Sequence, residues 1–176
     1  METLGQRLAR GDQTAFAELY DACADRCHHY LVALLGSRDW ADEVLQETFL
    51  RMVRSRRKLA KVESLAAYMF VVASNEARRF AARRARRLKL RTVASSEDLF
   101  LEAKSDDQSK RELAELVHTA LGSLDADQRE VVELKIYGGL TFREAAAVIG
   151  VPLQTAATRY RAAIERLRVL LARQLS

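Results

Sequence analysis

The chain has 176 residues, of which 49% are hydrophobic and only 7% aromatic, so its cores must be built mainly from Leu, Val and Ala. Lys and Arg outnumber Asp and Glu by 29 to 24, and the resulting net charge of +5 favours a polyanionic partner without requiring one. No apolar run approaches the roughly 18 residues that span a bilayer and the N-terminus lacks the layout of a signal peptide, which excludes membrane insertion and predicts a cytoplasmic protein.

The first half of the chain is predicted to be helical. Its apolar residues recur at helical spacing from Thr14 to Leu35, and Gly36 ends that helix. Because Pro152 is the only proline, nothing else in the chain interrupts long helices. Asp39 is the predicted N-cap of a second helix. The core side of that second helix is predicted to carry Val44, Leu45, Phe49, Met52 and Val53.

Two basic segments come next. The first, "SRRKLAKVE", is aperiodic and is predicted to be a loop, and a third helix starts near Ser64. That helix ends in "ARRFAARRARRLKLR", whose arginine density is typical of phosphate binding with salt-sensitive affinity. The alternative is an exposed helix end whose positive charge suits the C-terminal dipole. Repulsion among so many like charges favours the nucleic-acid interpretation.

The composition changes abruptly after Arg91. The segment "TVASSEDLFLEAKSDDQSK" is rich in Ser, Asp and Glu, which is the composition of a linker, and it is a candidate acidic cover for the basic tract. Helical periodicity returns near Lys110 and gives a four-helix unit. The sequence therefore predicts an all-α fold with two small helical domains, residues 1–91 and 111–176, joined by a polar linker over residues 92–110.

The C-terminal domain contains a predicted helix-turn-helix. Thr141 and Glu144 have the spacing of a capping box, Gly150 suits a left-handed helix stop, and Pro152 prevents the first helix from continuing. The outer face of the following helix has the amide, hydroxyl and guanidinium groups that contact bases and phosphates in a major groove. The alternative is a solvated arginine-rich face. The predicted DNA-contacting residues are Gln154, Thr155, Thr158, Arg159 and Arg161.

Other kinds of chemistry have little support. Cys23, Cys27, His28 and His29 suggest a metal site, but they lie on one predicted helix, whereas metal sites usually take ligands from two elements. Core packing is the better interpretation of both cysteines. No nucleophile, phosphate-loop or zinc-protease motif is present, so the sequence predicts no enzyme, cofactor, metal or small-molecule substrate.

Four segments in order resemble a bacterial sigma factor of the sigma-70 family, extracytoplasmic-function type. These are "GDQTAFAELYDAC", "DWADEVLQETFLRMVR", "SLAAYMFVVASNEARRFAARRARR" and the stretch from "LGSLDADQREVVELKIYGG" to "AAIERLR". The resemblance implies a helix that docks on core RNA polymerase, a helix that opens and reads the −10 promoter element, and a C-terminal domain that reads the −35 element. It covers both predicted domains.

The resemblance also implies roles for individual residues. The loop from Arg56 to Glu63 would hold a flipped base of the non-template strand, whose unstacking costs a few kcal/mol. The implied polymerase-binding residues are Asp42, Glu43, Gln46, Glu47, Phe49 and Leu50. The implied −10-binding residues are Arg56, Arg57, Lys58, Lys61, Tyr68, Asn75, Arg78, Arg79 and Arg83. The predicted contacts of the last helix, given above, would read the −35 element.

The chain departs from the family pattern in the DNA-reading segments. Arg79 stands where the family commonly has aspartate, and Asp125 stands in place of a usual proline. Gln154, Ala156 and Ala157 replace residues that are often Gly, Val and Lys. Since the lysine would supply a phosphate or base contact, the −35 preference of relatives does not transfer to this chain.

The sequence thus predicts a promoter-specificity subunit whose partners are core RNA polymerase and promoter DNA. Relatives are commonly held inactive by an anti-sigma factor, which is a further candidate partner. The alternative is a free-standing helix-turn-helix regulator, although such proteins usually dimerise and no separate dimerisation helix is evident. A helical interaction protein with merely solvated arginines is a third hypothesis, and it predicts no DNA affinity at any salt concentration.

Overall fold

In the computed structural model, which describes residues 2–89 and 108–174, the described chain is α-helical with one 3₁₀ helix and no strand. The predicted all-α fold is confirmed. The N-terminal unit contains α1 (Leu4–Arg10), α2 (Gln13–Leu35), α3 (Arg38–Arg54), a 3₁₀ helix (Arg56–Lys61) and α4 (Leu65–Lys89). The C-terminal unit contains α5 (Gln108–Gly122), α6 (Ala126–Ile136), α7 (Phe142–Ile149) and α8 (Leu153–Gln174).

Helices α2, α3 and α4 pack around the core of the N-terminal unit, in which Tyr30, Phe70 and Met52 are almost completely buried. Gly36 ends α2 in the left-handed conformation, with φ of 69°, as predicted. The prediction that Asp39 caps α3 is wrong. Ser37 is the N-cap, because its hydroxyl accepts the Trp40 N–H, and Asp39 lies in the first turn.

The predicted loop at Arg56 to Glu63 is also wrong in its first part, because Arg56–Lys61 forms the 3₁₀ helix. Leu59 in this segment is fully buried, and the segment packs against α1, a helix that the sequence pattern did not reveal. A single anchoring leucine creates no periodicity, so the pattern shows only a basic, irregular stretch. The structure fixes this segment to the N-terminal unit.

The contact between α1 and the 3₁₀ helix depends on Gly5. A Cβ built on Gly5 would lie 2.5 Å from the backbone oxygen of Leu59, a distance that neither backbone can accommodate without moving. We expect Gly5→Ala to destabilise the N-terminal unit by about 1–3 kcal/mol, the usual cost of overpacking. Thermal unfolding measures this loss. Gly122→Ala is the control, because a Cβ at Gly122 meets nothing within 4 Å, and its unfolding temperature should be unchanged or slightly higher. Equal unfolding temperatures for the two variants would show that the close contact at Gly5 is not what determines stability.

The predicted helix-turn-helix is present as α7 and α8. Both halves of the capping box form, since the Thr141 side chain accepts the Glu144 N–H and the Glu144 carboxylate accepts the Thr141 N–H. The Thr141 N–H and the hydroxyl of Ser64 lower the pKa of Glu144, which keeps it ionised for this role. Gly150 follows α7 in the left-handed conformation, with φ of 79°. Small residues, Ala146 and Ala156, are buried where the helices meet.

The two units pack directly against each other. Helix α4 contacts α7, and α2 contacts α6. Leu134, Leu140 and Val148 belong to the same apolar cluster as the buried residues of the N-terminal unit. The predicted domain boundaries stay a prediction, because most of the predicted linker lies outside the described residues, together with its suggested cover over the basic tract.

Candidate functional site

An exposed apolar groove runs along α3. Its volume is about 370 Å³, and the rings of Tyr20 and Phe49 meet in it with centroids 4.8 Å apart. Leu50 and Val53 are 42% and 39% exposed, which is unusual for large apolar side chains that adjoin one another on a helix. The groove is lined by Tyr20, Asp42, Leu45, Gln46, Phe49, Leu50 and Val53.

Four of the six predicted polymerase-binding residues therefore line this groove, namely Asp42, Gln46, Phe49 and Leu50. Asp42 lies at the rim, where its carboxylate is 70% exposed and its Oδ1 is 2.8 Å from Nε2 of His28. The structure places the other two away from the groove. Glu47 pairs with Arg54 at 3.3 Å, and Glu43 lines a separate cleft.

Three groove residues were not predicted to lie on this surface, and one of them, Leu45, is buried in the core as predicted. Val53 was predicted to be in the core and is exposed, and Tyr20 is 49% exposed although it belongs to the apolar repeat of α2. Helical periodicity identifies an apolar stripe but does not tell which part of the stripe is covered by the chain itself. The apolar stripe on α3 is wider than the part that neighbouring helices cover, so Leu50 and Val53 are left exposed.

Helix α4 carries five of the nine predicted −10-binding residues. Tyr68, Asn75 and Arg79 recur at helical spacing and therefore share a stripe, along which Tyr68 is half-buried and Asn75 and Arg79 are exposed. Arg78 lies beside this stripe and is also exposed, but its guanidinium donates to carbonyls of α7. The 3₁₀ helix presents Arg57, Lys58 and Lys61 to solvent, with Arg56 half-buried beside them.

A buried carboxylate supports Arg79. Glu76 is 3% exposed, and its Oε1 accepts from Arg79 at 2.8 Å and forms an ion pair with Arg51 of α3. Burial of a carboxylate is costly unless it is paired, and Glu76 has two guanidinium partners. It thus joins the groove-bearing helix to the predicted DNA-reading helix. In the sequence, the one indication of this role was that Glu76 is a single acidic residue at the start of an arginine tract.

The arginine tract of α4 borders a second cleft, of about 620 Å³. Trp40 forms one wall, with the Arg84 guanidinium 3.7 Å from its ring centroid and Phe80 beside it. Arg83 and Arg87 also line this cleft and are exposed. Arginine side chains around an aromatic surface suit contacts with phosphates and bases. The structure therefore places the predicted residue Arg83 in a basic cleft, separate from the α3 groove.

The predicted −35 residues lie on the first turns of α8. Gln154, Thr158 and Arg161 are exposed on the side opposite the buried Ala156 and Ala163, and Thr155 is half-buried. Arg159 is half-buried as well and is held by Asp127 of α6 at 2.6 Å. The chain therefore offers a polar helix face of the size and character that fits a major groove. Arg159 differs from the other four predicted −35 residues because it forms an ion pair within its own domain.

The cysteines are core residues. Cys23 and Cys27 are free and buried, and burial raises the pKa of the Cys27 thiol far above its ordinary value, so it stays protonated. Among residues 2–89 and 108–174, no cluster of His, Cys, Asp and Glu could hold a metal ion. No helix in that same part of the chain is long and apolar enough to span a membrane.

Comparison with known proteins supplies the family context. The model of Sigma-70 region 2 matches residues 19–87, and that of Sigma-70 region 4 matches residues 114–167. RNA polymerase sigma factor CarQ of Myxococcus xanthus is 32% identical over 167 residues, which cover 94% of each chain. ECF RNA polymerase sigma factor SigK of Mycobacterium tuberculosis is 28% identical, with coverage of 96% of this chain and 91% of SigK.

Solved structures give the same fold. CnrH in complex with the cytosolic domain of CnrY superposes with a TM-score of 0.66 and 26% identity, covering 96% of this chain and 95% of CnrH. RpoE of Bartonella quintana, in complex with the anti-sigma factor NepR, has a TM-score of 0.70 and 23% identity, covering 91% and 96% of the two chains. Both likenesses extend over the N-terminal and C-terminal units.

Proposed function

The chain belongs to the sigma-70 family of RNA polymerase sigma factors, and from this premise we propose which of its surfaces bind the polymerase and which read promoter DNA. Its function is to bind core RNA polymerase and direct promoter recognition and transcription initiation. The observation that carries the assignment of surfaces is the separation of an exposed apolar groove on α3 from basic or polar surfaces on α4 and α8. The chain acts by binding rather than by catalysis.

The α3 groove is the polymerase-binding surface. Its floor is apolar, with Phe49 and Leu50 available for contact, and its rim carries the exposed carboxylate of Asp42. Apolar anchors surrounded by polar groups are the usual anatomy of a protein interface. Saturable binding of the purified chain to core RNA polymerase tests this assignment, and groove variants that bind as well as the parent chain would count against it.

The exposed stripe of α4 and the basic 3₁₀ helix form the −10-binding surface. Unstacking a base costs a few kcal/mol, which stacking and phosphate contacts must offset. Tyr68 offers an aromatic ring, Asn75 offers an amide, and Lys58 and Lys61 offer ammonium groups near the start of the same helix. Arg79 contributes a guanidinium that Glu76 holds in a fixed position.

The first turns of α8 read the −35 element. We expect Arg161→Ala to reduce transcription from the cognate promoter by about 5- to 150-fold, since a good arginine contact contributes about 1–3 kcal/mol. Affinity for core polymerase should not change. Run-off transcription and a polymerase titration measure the two quantities separately. Arg168→Ala is the control, because it removes the same charge from the same helix at a 76% exposed position. If Arg161→Ala reduces transcription and affinity for core polymerase equally, the assignment is wrong.

The remaining partners follow from the relatives. Two chains of the same fold were solved with the cytosolic domain of CnrY and with the anti-sigma factor NepR, so we propose that an anti-sigma factor also binds this chain. We place the protein in the cytoplasm, where its polymerase and promoters are found. The free-standing regulator is the second candidate, and it requires DNA binding without any association with core polymerase.

A further inference from the structure

The last turns of α4 carry arginine on the side of the helix that faces α3. The row consists of Phe80, Arg83, Arg84 and Arg87, which have the i, i+3, i+4, i+7 spacing of one helix face. A packed helix normally has apolar residues in such a row. Here the row lines the basic cleft of about 620 Å³, and Trp40 of α3 is one wall of that cleft. The guanidinium groups therefore lie together in one cleft instead of being spread over the surface.

Trp40 holds one of these arginines in place. The Arg84 guanidinium lies over the Trp40 ring, 3.7 Å from its centroid. This short distance favours stacking of the two planar groups, because an edge-on guanidinium would bring a nitrogen too close to the ring. In a stacked guanidinium the N–H donors lie in the plane and are free to bind an oxyanion. Because the side chain is ordered before a ligand arrives, less conformational entropy is lost on binding.

The arginines of this row lack an acidic partner in the part of the chain that the structure describes. By contrast, Arg79 on the same helix pairs with the buried Glu76 at 2.8 Å. Among residues 2–89 and 108–174, no carboxylate forms an ion pair with Arg83, Arg84 or Arg87. Like charges held close together repel one another, so an anion bound between them would stabilise the arrangement.

The charge balance of the cleft favours a polyanion. Glu43 is exposed and lines the same cleft, so its carboxylate opposes the three guanidiniums without cancelling them. The remaining charge is positive, and a cleft of one sign attracts ligands of the other. Glu43 was predicted to bind polymerase, and this position gives it a different surrounding from the α3 groove.

Promoter DNA is the polyanion that the position of the cleft favours. Arg79 of the proposed −10 surface precedes Arg84 by five residues, which is about 8 Å along the helix axis at about 1.5 Å per residue. That distance is the rise of about two to three base pairs, so one DNA segment can contact both side chains. Backbone phosphates also match the in-plane donors of a guanidinium.

We infer that Trp40 is a positioning residue for promoter DNA: its ring holds the Arg84 guanidinium beside Arg83 and Arg87, and the three arginines bind the phosphodiester backbone next to the −10 surface. This inference rests on the proposed function and extends it. A DNA-binding role falls to a residue of α3, the helix that also carries the polymerase-binding groove. Sequence analysis assigned no such role to Trp40.

Fluorescence quenching by acrylamide tests the stacking in the full chain, because Trp40 is the only tryptophan. Arg84→Ala uncovers one face of the ring, so its quenching constant should rise above that of the parent chain. Arg86→Ala is the matched control, since Arg86 is also exposed on the last turns of α4 but does not line the cleft. Equal constants for the parent chain and both variants would show that Arg84 does not cover the ring, and the inference would fail.

Promoter binding by the holoenzyme, reconstituted with core polymerase, tests the role in DNA recognition. Arg84→Gln should weaken affinity by about 3- to 10-fold, the effect of losing one charge-assisted phosphate contact. It should also lower the slope of log affinity against log salt concentration by up to about 0.9. Trp40→Leu removes no charge, yet it should lower affinity and slope as well, because Arg84 loses its support. Trp40→Phe keeps an aromatic face and should restore most of the parent affinity.

The double variant of Trp40→Leu and Arg84→Gln separates positioning from a general effect on stability. If Trp40 acts through Arg84, the double variant should bind promoter DNA like Arg84→Gln alone, whereas independent effects would add. Arg84 is exposed, so Arg84→Gln should keep the fold and gives an interpretable result even if Trp40→Leu is destabilised.

Three results would overturn the inference. These are additive losses in the double variant, a parent-like salt slope in Arg84→Gln or Trp40→Leu, and weaker binding of core polymerase with unchanged promoter affinity. The last result would place the cleft at the polymerase interface. Failure of the parent chain to bind core polymerase would instead reject the proposed function, while fluorescence quenching still decides whether Arg84 covers Trp40.

Discussion

Leu50→Glu is expected to reduce affinity for core RNA polymerase by about 100-fold or more. Leu50 is 42% exposed in the α3 groove, so in the complex its side chain would be covered by the polymerase. A carboxylate in that place would lose its hydration without gaining a partner, at a cost of about 3 kcal/mol or more. Titration of labelled protein into core polymerase measures the change directly.

The fold of the Leu50→Glu variant should be intact, because the replaced side chain is not part of the buried core. A thermal transition close to that of the parent chain checks this point. Leu88→Glu is the matched control, since Leu88 is 50% exposed on α4 and lies outside the α3 groove. If the two variants lose affinity to the same extent, the groove is not the polymerase-binding surface.

Neutralising three arginines at the end of α4, two of which line the basic cleft, should weaken DNA binding and make it less sensitive to salt. Arg83, Arg86 and Arg87 are exposed on the last turns of α4. Each phosphate contact on duplex DNA contributes about 0.9 to the slope of log affinity against log salt concentration, so replacing all three with Gln should lower that slope by up to about 2.7. At moderate salt we expect affinity to fall by about 10- to 1,000-fold if each contact contributes about 0.5–1.3 kcal/mol.

The control for this triple variant removes the same charge elsewhere. Arg10, Arg168 and Arg173 are exposed and lie outside the cleft, so their replacement by Gln should change the salt slope much less. Fluorescence anisotropy of a labelled promoter fragment at several salt concentrations gives both slopes. Equal slopes in the two triple variants would show that the tract on α4 contributes only net charge.

Local features were predictable from the sequence because they depend on near neighbours in the chain. The capping box of Thr141 and Glu144, the left-handed stop at Gly150 and the burial of Cys23 and Cys27 all follow from spacing within one or two turns. The four segments that identify the family can likewise be recognised from short stretches of the sequence. These features determine the helix-turn-helix and the position of α8's polar face.

Features that depend on distant parts of the chain could not be predicted. The burial of Leu59 requires α1 to lie over it, and the exposure of Val53 depends on which helices cover α3. The contacts that join Arg78 to Ile149 and Tyr30 to Glu130 link residues 71 and 100 positions apart. No periodicity encodes such pairs, so the sequence indicated two domains but not how they meet.

The most direct test of the central claim is a titration of the purified protein into core RNA polymerase, followed by transcription of a pool of genomic fragments. We expect saturable binding and discrete start sites, whose upstream sequences would reveal the −10 and −35 elements together. Binding to duplex DNA with no association with core polymerase would reject the sigma-factor function and would favour a free-standing helix-turn-helix regulator.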